Sequence, residues 1–79
     1  MDIIDELQLL LIYLVGWEED SHKEPGGKIF KSWKGYSFEI LDKLEESGFI
    51  IHTGSTKLLI LTDAGKRRAQ QIGNKLAHL

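Results

Sequence analysis

Apolar residues recur at helical spacing over the first fifteen positions of the chain. Asp2 is a suitable N-cap before them, and Gly16 offers a left-handed stop after them. The pattern therefore predicts a first helix between these two residues. Its apolar positions are Ile3, Leu7, Leu10, Leu11, Leu14 and Val15.

The second half of this helix is apolar on nearly every face, because Leu9, Ile12 and Tyr13 add to the stripe. A helix that is apolar all round must be covered on all sides. Its surplus surface fits either a homodimer interface or a central helix wrapped by its own domain. We expect a homodimer, since a chain of 79 residues buries little apolar surface alone. The expected interface consists of Leu9, Ile12, Tyr13, Ile72, Leu76 and Leu79.

The segment WEEDSHKEPGG, residues 17–27, contains the single proline and two adjacent glycines among many acids. This composition predicts a solvated acidic loop. Its acids and His22 lack the register of a calcium loop, so we expect no metal site.

The segment KIFKSWKG, residues 28–35, places apolar side chains on one side and lysines on the other, which predicts a short second helix. A third helix is predicted from Ser37, its N-cap, to Ser47. Gly48 suits the C′ position after it, and Phe49 can fold back onto Leu44 in a Schellman arrangement.

The stretches FIIHT and KLLILT flank Gly54 and Ser55, which predicts a β-hairpin with both faces apolar. Thr62 or Asp63 then caps a last helix. The prediction is one α+β domain over residues 1–79, mainly α with a β-hairpin, in the order helix-helix-helix-hairpin-helix.

The stretch LEESGFI before the hairpin and LTDAGKRR after it resemble the winged helix-turn-helix superfamily, in particular MarR-like and PadR-like regulators. The resemblance covers roughly residues 28–79 and implies a winged-helix fold and DNA binding. The stretch KSWKGYSFEILDKLEESGFI also looks like a small bacterial domain family of unassigned function, which implies no activity.

The distribution of charge along the chain changes the expected mode of DNA binding. The net charge is −2, with an acidic first third and a basic remainder. The third helix is itself acidic, which disfavours its docking in a major groove. A DNA model therefore uses the surrounding cations as phosphate clamps, and a solvated basic face is the alternative. The predicted DNA contacts are Lys28, Lys31, Lys34, Tyr36, Ser37, Lys43, Lys57, Lys66, Arg67 and Arg68.

Three aromatic residues near the second helix have two interpretations. Phe30, Trp33 and Tyr36 could stack the bases of a single strand. Their spacing matches the inward side of a helix-turn-helix, so core packing is favoured.

No catalytic arrangement stands out. The chain has no cysteine, and its histidines, at positions 22, 52 and 78, have no metal-ligand spacing. We expect no enzyme activity, no cofactor and no metal. The longest apolar run, residues 9–15, is far below the roughly 20 residues of a membrane span, so a cytoplasmic protein that does not enter membranes is expected.

Two functions follow as predictions. The first is a small DNA-binding transcriptional regulator acting on double-stranded DNA. The second is a winged-helix protein-interaction module that does not bind DNA, in which the acidic helix of residues 37–47 meets a basic partner protein through Glu39, Asp42 and Glu46.

Overall fold

The computed structural model describes residues 1–20, 27–35, 37–52 and 56–78. Over these residues the chain forms three helices and a four-stranded antiparallel sheet with strand order β1-β2-β4-β3. The α+β class is as predicted, but the order of the elements differs. The elements are α1 (Ile3–Val15), β1 (Trp17–Asp20), β2 (Lys28–Trp33), α2 (Phe38–Glu46), β3 (Ile50–His52), β4 (Leu58–Leu61) and α3 (Asp63–Ala77).

The predicted second helix is wrong, because its residues form β2. This strand lies in the middle of the sheet, paired with β1 on one side and β4 on the other. Isoleucine, phenylalanine and tryptophan fit a pleated surface, and the partners on both sides satisfy the backbone of the strand. Without this helix the described residues form no helix-turn-helix before the hairpin, and their order of elements differs from that of a winged helix.

The first part of the predicted acidic loop is also a strand. β1 pairs antiparallel with β2, from Trp17 opposite Lys31 to Asp20 opposite Lys28. It is an edge strand, and its acidic side chains discourage pairing with a further strand. Residues 21–26 of the acidic segment, with His22 and Glu24, lie outside the described residues.

The predicted helix ends are mostly confirmed. The Asp2 side chain accepts the backbone N–H of Asp5 at 3.0 Å. After α2, the N–H of Gly48 donates to the carbonyl of Glu45 at 2.9 Å, and the N–H of Phe49 donates to the carbonyl of Leu44 at 3.0 Å. Gly48 has φ +81°, which completes the predicted Schellman motif.

Gly16 ends α1 in another way than predicted. Its backbone is extended, with φ −86°, and not left-handed. A side chain at this position would collide with the Phe30 ring and the carbonyl of Lys31. Glycine is therefore needed here for space between α1 and β2.

The predicted hairpin is confirmed by the pairing of β3 with β4. Its expected turn, Gly54 and Ser55, lies outside the described residues. The predicted cap of the last helix is Thr62, whose side chain accepts the N–H of Gly65 at 3.0 Å and donates to the carbonyl of Gly48 at 2.7 Å. The cap thus fastens α3 to the junction between α2 and β3.

The core lies between the three helices and one face of the sheet. One polar contact crosses it: the buried Ser32 hydroxyl donates to the carbonyl of Ile12 at 2.8 Å. This carbonyl belongs to the last turn of α1, where helical partners are absent. The buried apolar residues are Leu9, Ile12, Leu41, Leu44, Ile50, Leu59, Leu61, Ala69 and Ile72.

Candidate binding surface

The sheet covers its core with one face and leaves the other face open. Successive residues of a strand point to opposite faces. Because Leu59 and Leu61 point to the helices, their neighbours on β4 point away from them. The register places the outward residues of the other strands beside these. We call this surface the outer face; it consists of Trp17, Glu19, Ile29, Lys31, Trp33, Ile51, Leu58 and Ile60.

Two tryptophans adjoin on the outer face. The rings of Trp17 and Trp33 have centroids 5.6 Å apart at an angle of 53°. Trp33 is 54% exposed. Both tryptophans of the chain therefore lie on this one face.

The polar groups of the outer face satisfy one another. The indole N–H of Trp17 donates to Oε1 of Glu19 at 2.9 Å. The Nζ of Lys31 lies 2.7 Å from Oε2 of the same carboxylate. The single negative charge is balanced in place, so the surface offered to a partner is chiefly apolar.

An open depression of about 270 Å³ lies on the β4 side of this face. Aliphatic side chains provide most of its lining, which consists of Lys31, Ile51, His52, Thr56, Leu58, Leu59 and Ile60. Ile51 is 54% exposed. The space is at the small end for a drug-sized ligand and suits one or two apolar side chains.

Several of the predicted DNA contacts are paired with acidic side chains. Four of these cations lie within ion-pair distance of carboxylates. Lys28 meets Asp20, Lys31 meets Glu19, Lys66 meets Asp63, and Arg68 meets Glu6. Such pairs reduce the charge available to phosphates.

The other predicted DNA contacts differ in their exposure. The Nζ of Lys34 is buried, with no hydrogen-bond partner among the described residues. Tyr36 lies outside the described residues, and the remaining predicted contacts are exposed. These are Ser37, Lys43, Lys57 and Arg67.

The acidic helix is confirmed as α2, and part of its charge serves the fold. Oε2 of Glu45 accepts the backbone N–H of His52 at 2.9 Å, which covers the free edge of β3. The Nε2 of His52 lies 3.3 Å from Asp42 and 3.4 Å from Glu45, without the geometry of a hydrogen bond. Glu39 and Glu46 remain exposed.

The described residues that were predicted to form the dimer interface lie in the core or pack against it. Leu9, Ile12 and Ile72 are buried in the core of the protomer, so they are not available to a second subunit. Tyr13 and Leu76 pack partly against that core. Leu79 lies outside the described residues. One side of the first helix thus packs in the core, but the helix is not wrapped by its own domain, because apolar residues on its other side are exposed.

The aromatic residues of the predicted helix-turn-helix separate onto two faces. Phe30 points inward and stacks on Tyr13 with centroids 5.5 Å apart, as core packing requires. Trp33 points outward. The outer face was not predicted from the sequence, because the alternation of its residues is apparent only if residues 28–33 form a strand. The alternation of Ile29, Lys31 and Trp33 is the signal that could have revealed it.

Two kinds of site are absent from the described part of the chain. It contains no group of three or more side chains arranged to hold a metal ion. None of its helices is long and apolar enough to cross a bilayer.

Comparison with known proteins identifies the family to which this chain belongs. The model of the family described as "Domain of unknown function (DUF6429)" matches residues 1–78. The uncharacterized protein y4hR of Sinorhizobium fredii (strain NBRC 101917 / NGR234) is 32% identical over 76 residues, which cover 95% of this chain and 89% of that protein. No solved structure matches the chain. The expected resemblance to a small family of unassigned function is thus met, and the chain belongs to the DUF6429 family.

Proposed function

We propose that this protein is an interaction module that binds an apolar segment of a partner protein on its outer face. The observation that carries the proposal is the open, largely apolar sheet face around Trp33 and Ile51, each 54% exposed. Exposed apolar patches rimmed by polar groups are typical of binding surfaces. Tryptophan is enriched among the residues that contribute most to such interfaces.

The internal ion pair of this face favours a protein over a nucleic acid. Lys31 is held by Glu19, and a phosphate would have to displace that carboxylate. Apolar side chains entering the depression beside Ile51 require no such exchange. The burial of aliphatic and aromatic surface supplies the binding free energy, about 25 cal/mol per Å² before the losses of association.

Site-specific photocrosslinking tests the proposal. One variant carries p-benzoylphenylalanine in place of Ile51 on the outer face, and a matched variant carries it in place of Glu46 on α2. Both are expressed in the native cell and irradiated, and the adducts are identified by mass spectrometry. We expect a defined protein adduct from position 51 and none from position 46.

Adducts from position 46 alone would instead support the acidic-helix module predicted from the sequence. That outcome would contradict the outer-face proposal, because the two positions lie on different surfaces of the molecule.

DNA binding is the second candidate function. The observation that favours it is a polar depression of about 300 Å³ at the start of α3, which Lys66 and Arg67 line. Glu18 and Asp63 line the same depression and oppose a phosphate. Fluorescence anisotropy of labelled duplex and single-stranded DNA at two salt concentrations tests this function. Steeply salt-dependent binding would support it.

A matched pair of variants identifies the surface in that assay. Arg67→Glu should abolish binding if α3 holds the phosphates, whereas Ile51→Lys should not weaken it. Binding at low salt that Arg67→Glu leaves unchanged would remove the phosphate-clamp model.

A further inference from the structure

The side of α1 that faces away from the core is apolar throughout. Leu9 and Ile12 point into the core, while six residues on the opposite side are between 44% and 66% exposed. At about 100° per residue they cover one continuous third of the helix circumference, and no polar residue interrupts them. We call this surface the α1 stripe; it consists of Ile3, Ile4, Leu7, Leu11, Leu14 and Val15.

From this surface we infer that the protein forms a symmetric dimer through the α1 stripe, with the two helices antiparallel. The predicted homodimer is thereby assigned to the side of the first helix opposite to the residues expected from the sequence. The interface is also separate from the outer face, which lies on the other side of the sheet.

The spacing of the stripe is self-complementary. Ile4, Leu7, Leu11 and Leu14 are separated by three, four and three residues, which is the spacing of a helix-packing seam. This spacing reads the same in both directions. Two antiparallel copies therefore place Ile4 beside Leu14 and Leu7 beside Leu11, as a two-fold interface requires.

Charge selects the antiparallel arrangement. Asp2, Asp5 and Glu6 all lie at the start of α1, and the last turn of the helix has no basic residue. A parallel pair would bring the two acidic ends and the two helix dipoles side by side. An antiparallel pair separates the acids and aligns the dipoles favourably.

The extent of the stripe fits a dimer of modest affinity. The exposed apolar surface is on the order of 500 Å² per protomer, near the lower limit of specific interfaces. An area of this order is within the range of the largest apolar patches on monomers, and such patches are often functional. We therefore expect a dissociation constant in the micromolar range.

A lipid surface is the rival occupant, and the charges argue against it. Helices that lie on membranes carry lysine and arginine on the polar face. The helix of residues 3–15 contains Asp5 and Glu6 and no basic residue. The helix therefore lacks the cations by which such helices bind an anionic bilayer.

Sedimentation equilibrium of the purified chain between about 1 and 200 µM tests the inference. We expect a reversible monomer–dimer equilibrium for the wild type. The double variant Leu7→Glu, Leu11→Glu should be monomeric over the whole range, with the circular dichroism spectrum of a folded protein because both positions are exposed. Ile51→Lys, on the outer face, should dimerise like the wild type.

Three results would overturn the inference. A wild type that stays monomeric at 200 µM would refute the dimer, as would a dimer that the double variant leaves intact. A monomeric wild type that floats with vesicles of phosphatidylcholine and phosphatidylglycerol would show that the stripe binds lipid instead.

The orientation has its own test, because the chain has no native cysteine. Ile4→Cys mixed with Leu14→Cys should form a disulfide-linked heterodimer on oxidation, while Ile4→Cys alone should not crosslink. Rapid crosslinking of Ile4→Cys with itself would show a parallel pair and refute the antiparallel arrangement. Since these measurements involve no partner on the outer face, their failure is distinguishable from that of the proposed function.

Discussion

Gly65, at the start of α3, packs closely against Phe49 and Leu61, and replacing it by alanine tests this packing. Gly65 is buried, and a methyl group there would collide with the carbonyl of Phe49 and lie 2.8 Å from Cδ1 of Leu61. Both neighbours belong to the sheet side of the core. The helix would have to move away from the sheet, which would also loosen the Thr62 cap.

The expected change in the free energy of unfolding is the balance of opposing contributions. Alanine favours a helix over glycine by about 0.8–1.0 kcal/mol. Overpacking costs typically about 1–3 kcal/mol, and a weakened N-cap about 1 kcal/mol more. Gly65→Ala should therefore lower the free energy of unfolding by about 1–3 kcal/mol. For a domain of this size that corresponds to a fall in Tm of roughly 4–8 °C per kcal/mol.

Gly73 is a matched control in the same helix. A methyl group at Gly73 would meet Cδ1 of Leu10 at 3.4 Å, an ordinary contact. Gly73→Ala should therefore raise the free energy of unfolding, by up to about 1 kcal/mol. Gly65→Ala and Gly73→Ala are thus expected to change the free energy of unfolding in opposite directions, although both lie in the same helix.

Urea denaturation followed by far-ultraviolet circular dichroism measures both variants. The protein concentration must be the same for all chains, because dimerisation would link stability to concentration. If Gly65→Ala proves as stable as Gly73→Ala, the close packing of α3 against Phe49 and Leu61 is refuted.

Two further predictions concern single contacts in the fold. Ser32→Ala removes the hydrogen bond to the Ile12 carbonyl and leaves that carbonyl buried, so the free energy of unfolding should fall by about 1–3 kcal/mol; the exposed Ser47→Ala is the control, and equal urea midpoints would contradict the contact. Gly48→Ala forces a side chain into a left-handed backbone at φ +81° and should cost about 1–2 kcal/mol in the same assay, whereas Gly35→Ala, with no atom within 4 Å, should not.

Local signals in the sequence were sufficient for the ends of the helices. Asp2, Gly48 and Thr62 act through neighbours three to five residues away or through their own backbone angles. Such interactions depend on short stretches of chain, so the sequence alone reveals them. The β3–β4 hairpin was predictable for the same reason.

The identity of β2 depends on distant residues. Its segment has apolar and basic positions that fit a helix or a strand, and Trp17 and Leu61 lie far from it along the chain. The segment forms a strand and not a helix because it pairs with β1 on one side and β4 on the other. The helix-turn-helix prediction failed at this point, and the outer face was missed with it.

The site on α1 was half predictable. The sequence indicates that the helix is apolar all round and that some surface is in excess. The packing of Leu9 and Ile12 against the other elements determines which side of the helix stays exposed. This packing depends on tertiary contacts that the sequence does not reveal. The interface residues predicted on α1 were therefore taken from the side that packs in the core.

The most direct test of the central claim is a titration of the crosslinked partner, once purified, into the protein. Since both tryptophans lie on the outer face, their emission reports binding there. We predict a saturable change for the wild type and for Glu46→Lys, and at least roughly 30-fold weaker binding for Ile51→Lys, as expected where a charge replaces an apolar residue that contributes strongly to binding. Binding that Ile51→Lys leaves intact and Glu46→Lys abolishes would contradict the account.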